Sequence, residues 1–361
     1  MPTPVGIGIV GAGDVAWRDY LPEIHRLDGA IRLRAVCARR ERRAREAAEQ
    51  FAVPRDLAPE WCTSVAELLA SDDVDAIVNL TPVAVHAAVT SAALEAGKHV
   101  YTEKPLAPTG AEARELAEVA HRRGLVLACA PSVMVFPQLL RAQEILRSGA
   151  LGKIFTARAR CSDGVPPWPG YSSDPTPFFA ADVGPLFDLG VYPLHAITGL
   201  LGPARRVAAM SMRTRSSFVV ADGPAEGKRV AVEAPDNWHL ILELDGGALA
   251  SIETNYCSAG SAAPDCELSG ERGGVALQLT DGSAPLKVNR PSDGGWITEA
   301  VPHQRTSGPD HILGVGHMVE CVSGDLELVL TPEHAIHVID VIEAARRSAA
   351  EGRSVAVAST F

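Results

Sequence analysis

The stretch that most constrains this chain is Val5-Gly-Ile-Gly-Ile-Val10, which runs straight into Gly11-Ala-Gly-Asp-Val-Ala16. Six residues without a polar side chain suit a strand buried on both faces, the kind found inside parallel sheets. A helical pattern follows to about Leu27. The order is therefore strand, G-x-G-x-x-A turn, helix. Gly11 permits a tight turn, Gly13 lets the backbone approach a pyrophosphate, and Ala16 allows close helix packing. Asp14 and Val15 open the helix, whose N-terminal amides would face the anion. In this context the pattern reads as a dinucleotide-binding turn.

The residues after it keep the same rhythm. Ile31 to Cys37 forms a second strand, where a ribose-binding carboxylate is expected about 20 residues after the glycines. Ala38-Arg39-Arg40 stands there instead. A missing acid and two guanidiniums favour a 2′-phosphate, so NADP is preferred and NAD is the alternative. The competing reading is that Arg39 and Arg40 merely begin a solvated basic helix continuing through Arg42, Arg43 and Arg45. Ser64-Val-Ala-Glu67 and Thr109-Gly-Ala-Glu112 are capping boxes. Asp75 to Thr81 is a strand stopped by Pro82, and a helix from about Val83 to Ala96 ends at Gly97. Lys98-His-Val-Tyr-Thr-Glu-Lys-Pro105 then reads as a turn, a short strand and a polar tip carrying Glu103 and Lys104. After a further helix, Leu125 to Ala130 is another strand. Alternation of this kind predicts an α/β Rossmann domain, a doubly wound parallel sheet, over residues 1–130.

From Lys153 the pattern changes. Ile154 to Cys161, Val207 to Arg215, Trp238 to Leu244, Ala248 to Tyr256 and Val275 to Leu279 read as strands, some separated by Gly-rich turns. Residues 131–361 are thus expected to form an α+β domain with a large, mainly antiparallel sheet. A proline-rich loop (Val165 to Pro177) and a helix (Pro185 to Leu201) interrupt it. Thr331-Pro332 starts a last long helix that could pack back on the first domain.

The bulk of the chain excludes several classes. A net charge of -11 over 361 residues argues against nucleic-acid binding, which needs clustered Lys and Arg. The seven cysteines show no C-x-x-C pairing, and their number is odd. Reduced thiols in a cytoplasmic protein are expected, with no metal and no membrane span.

A second candidate constellation lies in Gly184-Pro-Leu-Phe-Asp-Leu-Gly-Val-Tyr-Pro-Leu-His195. On one continuous helix Asp188, Tyr192 and His195 would share a stripe. A buried Tyr or His satisfied by a neighbour is the structural alternative.

Taken together, these motifs resemble the Gfo/Idh/MocA family, relatives of glucose–fructose oxidoreductase and inositol dehydrogenase. The resemblance rests on Gly11-Ala-Gly13, Thr81-Pro82 with His86, Ala96-Gly-Lys-His-Val100 leading to Glu103-Lys-Pro-Leu106, and Gly184 to Gly202. It implies NAD(P)-dependent oxidoreductase activity on a sugar, cyclitol or keto-sugar, with an open-faced sheet used for homo-oligomerisation. It implies that Lys104 is catalytic, often before a cis proline bond, and that Glu103 lies near the nicotinamide ribose. Thr81 and His86 join the cofactor-binding set. Tyr192 replaces the proton-transfer histidine of many relatives, and His195 stands where many carry Asp. Tyr192 suits acid/base work if the Lys104 ammonium is near, since a positive neighbour favours phenolate. Asp188 would orient Lys104 or bind a sugar hydroxyl. His195 would bind substrate, and Trp168 would cover an apolar sugar face. A non-catalytic NAD(P)- or sugar-sensing regulator on the same fold is the alternative from another class.

Overall fold

The computed structural model describes residues 3–168, 170–258, 260–303 and 308–361. The chain divides into two compact units. Met1–Val135 with Asp310–Ile336 form one, and Phe136–Pro309 with His337–Phe361 form the other.

In the first unit, Val5–Val10 (β1), Ile31–Cys37 (β2), Glu60–Cys62 (β3), Ala76–Asn79 (β4), His99–Thr102 (β5) and Leu127–Cys129 (β6) form one six-stranded sheet. Every pairing in it is parallel, in the order β3-β2-β1-β4-β5-β6. All six residues of β1 are buried, as its apolar composition requires. Between strands Ser64 and Thr109 cap their helices: their hydroxyls accept from the amides of Glu67 and Glu112 at 3.4 and 3.2 Å.

The stretch after Gly13 is helical but uneven. Ala16–Tyr20 is wound wide and Leu21–Leu27 tight. Pro22 lacks the amide that would continue a regular ladder, so the hydrogen bonding changes register there.

Residues 310–336 fall in the first unit, beyond the boundary expected from sequence alone. The helix Ile312–Val322 buries Ile312, Val315, Met318 and Val319, and packs against β5 and β6. Arg26 also grips Asp310 with two hydrogen bonds of 2.8 and 2.9 Å.

The second unit contains a nine-stranded sheet. Its strands are Ile154–Ser162 (β7), Ala204–Met212 (β8), Asn237–Leu244 (β11), Leu249–Asn255 (β12), Cys266–Gly270 (β13), Gly273–Leu277 (β14), Leu286–Asn289 (β15), Ile297–Glu299 (β16) and Val355–Ala356 (β17). Ser217–Val219 (β9) and Arg229–Ala231 (β10) pair separately. Only β7 with β12 is parallel among the sheet's described pairings. Along β11 the burial alternates strictly: Trp238, Leu240, Leu242 and Leu244 are buried, while His239, Ile241 and Glu243 are exposed. Period-two patterning thus puts one face under helices and leaves the other open. Met210, 80% exposed, stands on that open face.

The single helix expected from Pro185 to Leu201 is two helices, Gly184–Asp188 and Val191–Leu201. A continuous helix would need residue 193 to donate to the Leu189 carbonyl. Pro193 has no N–H and its ring would meet that carbonyl. Asp188 therefore ends one helix, while Tyr192 and His195 belong to the next. They do not lie on one continuous helix.

Candidate active site

The strand order reverses direction between β1 and β4, so the carboxyl ends of these two strands frame the crevice where such sheets take ligands. Gly11 closes the turn with φ of 104°, and a Cβ there would lie 2.6 Å from the Leu80 carbonyl oxygen. The protein itself therefore demands glycine at 11. Gly13 is different: a Cβ would meet nothing within 4 Å. The open space beside its backbone fits the close approach of a dinucleotide pyrophosphate. The Gly13 carbonyl accepts from Trp17 at 3.1 Å, so Asp14 and Val15 stand in the first turn, the end of a helix whose dipole suits an anion.

Arg39 and Arg40 follow β2 and are both exposed. The arginines one turn further on are engaged: Arg42 with Glu46, Arg45 with Glu41, and Arg43 lying 5.5 Å over the Trp17 ring. No ion pair to Arg39 or Arg40 occurs among the described residues.

On the other side of the crevice, Asn79 organises the turn that carries Thr81. Its Oδ1 accepts from the Thr81 hydroxyl at 2.7 Å and amide at 3.3 Å. Its Nδ2 donates to the His86 carbonyl and the Thr90 hydroxyl. The His86 ring bridges two loops, with Nδ1 2.8 Å from the Pro105 carbonyl and Nε2 2.6 Å from the Thr81 carbonyl. Burial pushes its pKa down, while the two carbonyls oppose that shift. His86 thus links the Thr81-Pro82 turn to the turn after Lys104.

Glu103 and Lys104 leave the carboxyl end of β5, and the Lys104-Pro105 bond is cis. The Glu103 carboxylate is buried. One oxygen accepts from Tyr20 at 2.5 Å and the other from the Lys104 amide at 2.9 Å. Tyr20 and Tyr101, their hydroxyls 3.1 Å apart, are both fully buried. Burial, then the Glu103 charge, pushes both phenol pKa values well up, so both hydroxyls keep their protons.

In the second unit, Asp188 accepts from the Tyr256 hydroxyl at 2.9 Å. Burial pushes the Tyr256 phenol well up, so it serves as donor. Tyr192 is buried on the second helix of the pair. His195 is buried too, its Nδ1 2.8 Å from the Val191 carbonyl, and burial lowers its pKa to about 4. It is therefore a neutral ring near pH 7, with one nitrogen committed to its own helix. The Trp168 ring sits edge-on to Phe178 at 5.3 Å and to Tyr256 at 6.2 Å.

Sequence reading missed Tyr20, Tyr101, Asn79 and Tyr256. Each is an ordinary apolar or turn residue by pattern. Only Asn79, just before Thr81-Pro82, carried a local signal, since Asn side chains bond backbone two residues on.

Two family models match the chain. One, described as the oxidoreductase family with NAD-binding Rossmann fold, covers residues 5–130, and the GFO/IDH/MocA C-terminal domain covers 139–276. The chain belongs to the Gfo/Idh/MocA family. Among relatives, a dTDP-3,4-didehydro-2,6-dideoxy-alpha-D-glucose 3-reductase of Actinomadura kijaniata is 35% identical over 62% of this chain and 64% of its own length. The match thus spans under two thirds of that relative. D-glucoside 3-dehydrogenase of Escherichia coli is 30% identical over 70% of this chain and 71% of its own. Among solved structures, GenD2 from gentamicin A biosynthesis, in complex with NAD, superposes with TM-score 0.76 at 26% identity, covering 99% of this chain and 98% of that one. These likenesses agree with the parallel sheet, the larger mixed sheet and the glycine turn described above.

Proposed function

We propose that this protein is an NAD(P)-dependent oxidoreductase transferring hydride at carbon 3 of a hexose-type sugar, either a glycoside or a nucleotide-linked keto-sugar. The observation that carries the reading is Lys104 at the carboxyl edge of the same sheet whose first turn leaves Gly13 open. The two relatives' names both specify position 3 of a glucose-type ring. A bound nicotinamide dinucleotide supplies the hydride acceptor or donor. Gly13 and the helix opened by Asp14 and Val15 hold the pyrophosphate. Thr81, His86 and Glu103 shape the nicotinamide side. Lys104 directs its ammonium to the reacting oxygen, holding a hydroxyl in oxidation and polarising a carbonyl in reduction. Tyr192 takes the hydroxyl proton in oxidation and returns it in reduction. Asp188, held by Tyr256, belongs to the sugar side, and His195 and Trp168 bind the substrate there.

NADP is the preferred form, because Arg39 and Arg40 are exposed where the ribose acid would stand. The uncovered face of the large sheet, with Met210, Met212, Ile241 and Leu249 exposed, is the surface for association with further copies of the chain.

The test is Lys104→Ala, with methyl α-D-glucopyranoside and each nucleotide, followed at the nicotinamide absorbance. A loss of roughly a hundredfold or more in kcat is expected, with nucleotide Kd nearly unchanged. Full retained turnover would remove Lys104 from the chemistry and sink the reading.

A further inference from the structure

Glu103 has two carboxylate oxygens and two different donors. Tyr20 occupies one oxygen, and the amide of Lys104 occupies the other. Tyr20 carries a single proton. Because that proton goes to Glu103, the contact between the two phenols must be a donation from Tyr101 to the Tyr20 oxygen. The donors therefore run in one direction, from Tyr101 through Tyr20 to the carboxylate that holds Lys104.

The surroundings leave Tyr20 little freedom. Its ring stacks on His311 with centroids 5.7 Å apart and meets Tyr101 edge-on at 6.1 Å. A Cβ at Gly314 would lie 2.6 Å from the Tyr101 hydroxyl, so the helix backbone fits closely over the pair. The Arg26–Asp310 bridge fixes the residue before His311. Tyr20 itself belongs to the helical stretch that opens at Asp14.

We infer that Tyr20 is a positioning residue: its hydroxyl fixes Glu103 on the Lys104 amide and so sets the lysine at the end of β5. This rests on the reading of Lys104 as the catalytic group, but the hold on its amide can be measured without turnover. It also joins the helix of the dinucleotide turn to the lysine through two hydrogen bonds.

The chain has five lysines, at 98, 104, 153, 228 and 287. A nitrogen-15 lysine label therefore gives five backbone amide signals, and Lys104→Arg identifies the one of interest. Tyr20→Phe keeps the ring and removes the donor. Amide exchange at Lys104 is expected to accelerate about tenfold, while Lys98, whose amide donates to the Ala93 carbonyl, stays near its wild-type rate. Glu103→Gln, with one acceptor oxygen in place of two, is expected to accelerate Lys104 in the same way. In the glucoside assay Tyr20→Phe lowers kcat about tenfold and leaves nucleotide Kd within about twofold. Unchanged Lys104 exchange in both variants overturns the inference. So does equal acceleration at Lys98 and Lys104, which would mean general loosening. Full activity of Lys104→Ala would instead overturn the catalytic reading while the exchange result stands.

Discussion

Gly11 and Gly13 sit two residues apart in one turn, yet the structure assigns them different reasons for being glycine. Replacing each by alanine separates what the fold needs from what a ligand needs. At Gly11 the backbone has φ of 104° and a Cβ would lie 2.6 Å from the Leu80 carbonyl oxygen. A left-handed conformation costs an L-residue roughly 1–2 kcal/mol, and overpacking typically adds about 1–3 kcal/mol. Gly11→Ala should therefore destabilise the protein by about 3 kcal/mol and lower Tm by roughly 6–12 °C. At Gly13 the added methyl meets nothing within 4 Å. Stability should stay within about 0.5 kcal/mol, or rise slightly because alanine restricts the unfolded chain. The same methyl would stand off a pyrophosphate and weaken charge-assisted amide contacts worth about 1.5–3 kcal/mol. A tenfold to roughly hundredfold loss of NADPH affinity follows. Thermal melts followed by circular dichroism and NADPH fluorescence titrations read the two effects. If Gly13→Ala binds NADPH as tightly as wild type, the open side of Gly13 is not the pyrophosphate cradle. If Gly11→Ala melts normally, the steric account of the turn is wrong.

Two further outcomes follow from the same geometry. Arg39→Asp is expected to weaken NADP binding about tenfold or more, with a smaller effect on NAD. Titration of both nucleotides decides it, and an unchanged ratio between them would separate Arg39 from the 2′-phosphate. His195 is held neutral, its pKa pushed by burial to about 4. The unfolded chain takes up that proton near pH 6.5, so stability present above this pH is lost as pH falls towards 4, by roughly 3 kcal/mol in all. Denaturant melts of His195→Asn should show a shallower decline over this window. A decline identical to wild type would show that other groups cause it.

Much of this protein was legible along the chain because the relevant physics is local. An apolar strand run, a glycine turn and a helix within some 25 residues specify a nucleotide-binding half, since each element's pattern depends on near neighbours. The helix N-caps at Ser64 and Thr109 formed for the same reason. Trp238 to Leu244 read as a strand from its own residues, and β11 covers Asn237–Leu244. Short strands such as β15 and β16 escaped notice because three or four residues carry too little periodicity.

What only the tertiary structure decided is what depends on residues far apart in sequence. Glu103 accepts from Tyr20, 83 positions away, and Asp188 from Tyr256, 68 positions away. No spacing rule connects such pairs, since chain folding alone brings them within hydrogen-bonding range. Pro193 was visible in the sequence, but whether it would kink one helix or divide two depended on how the packed carbonyls found other partners. The two glycines make the same point at the smallest scale. Their motif is identical on paper, and only the Leu80 carbonyl, brought in by β4, separates a glycine the fold requires from one it merely permits.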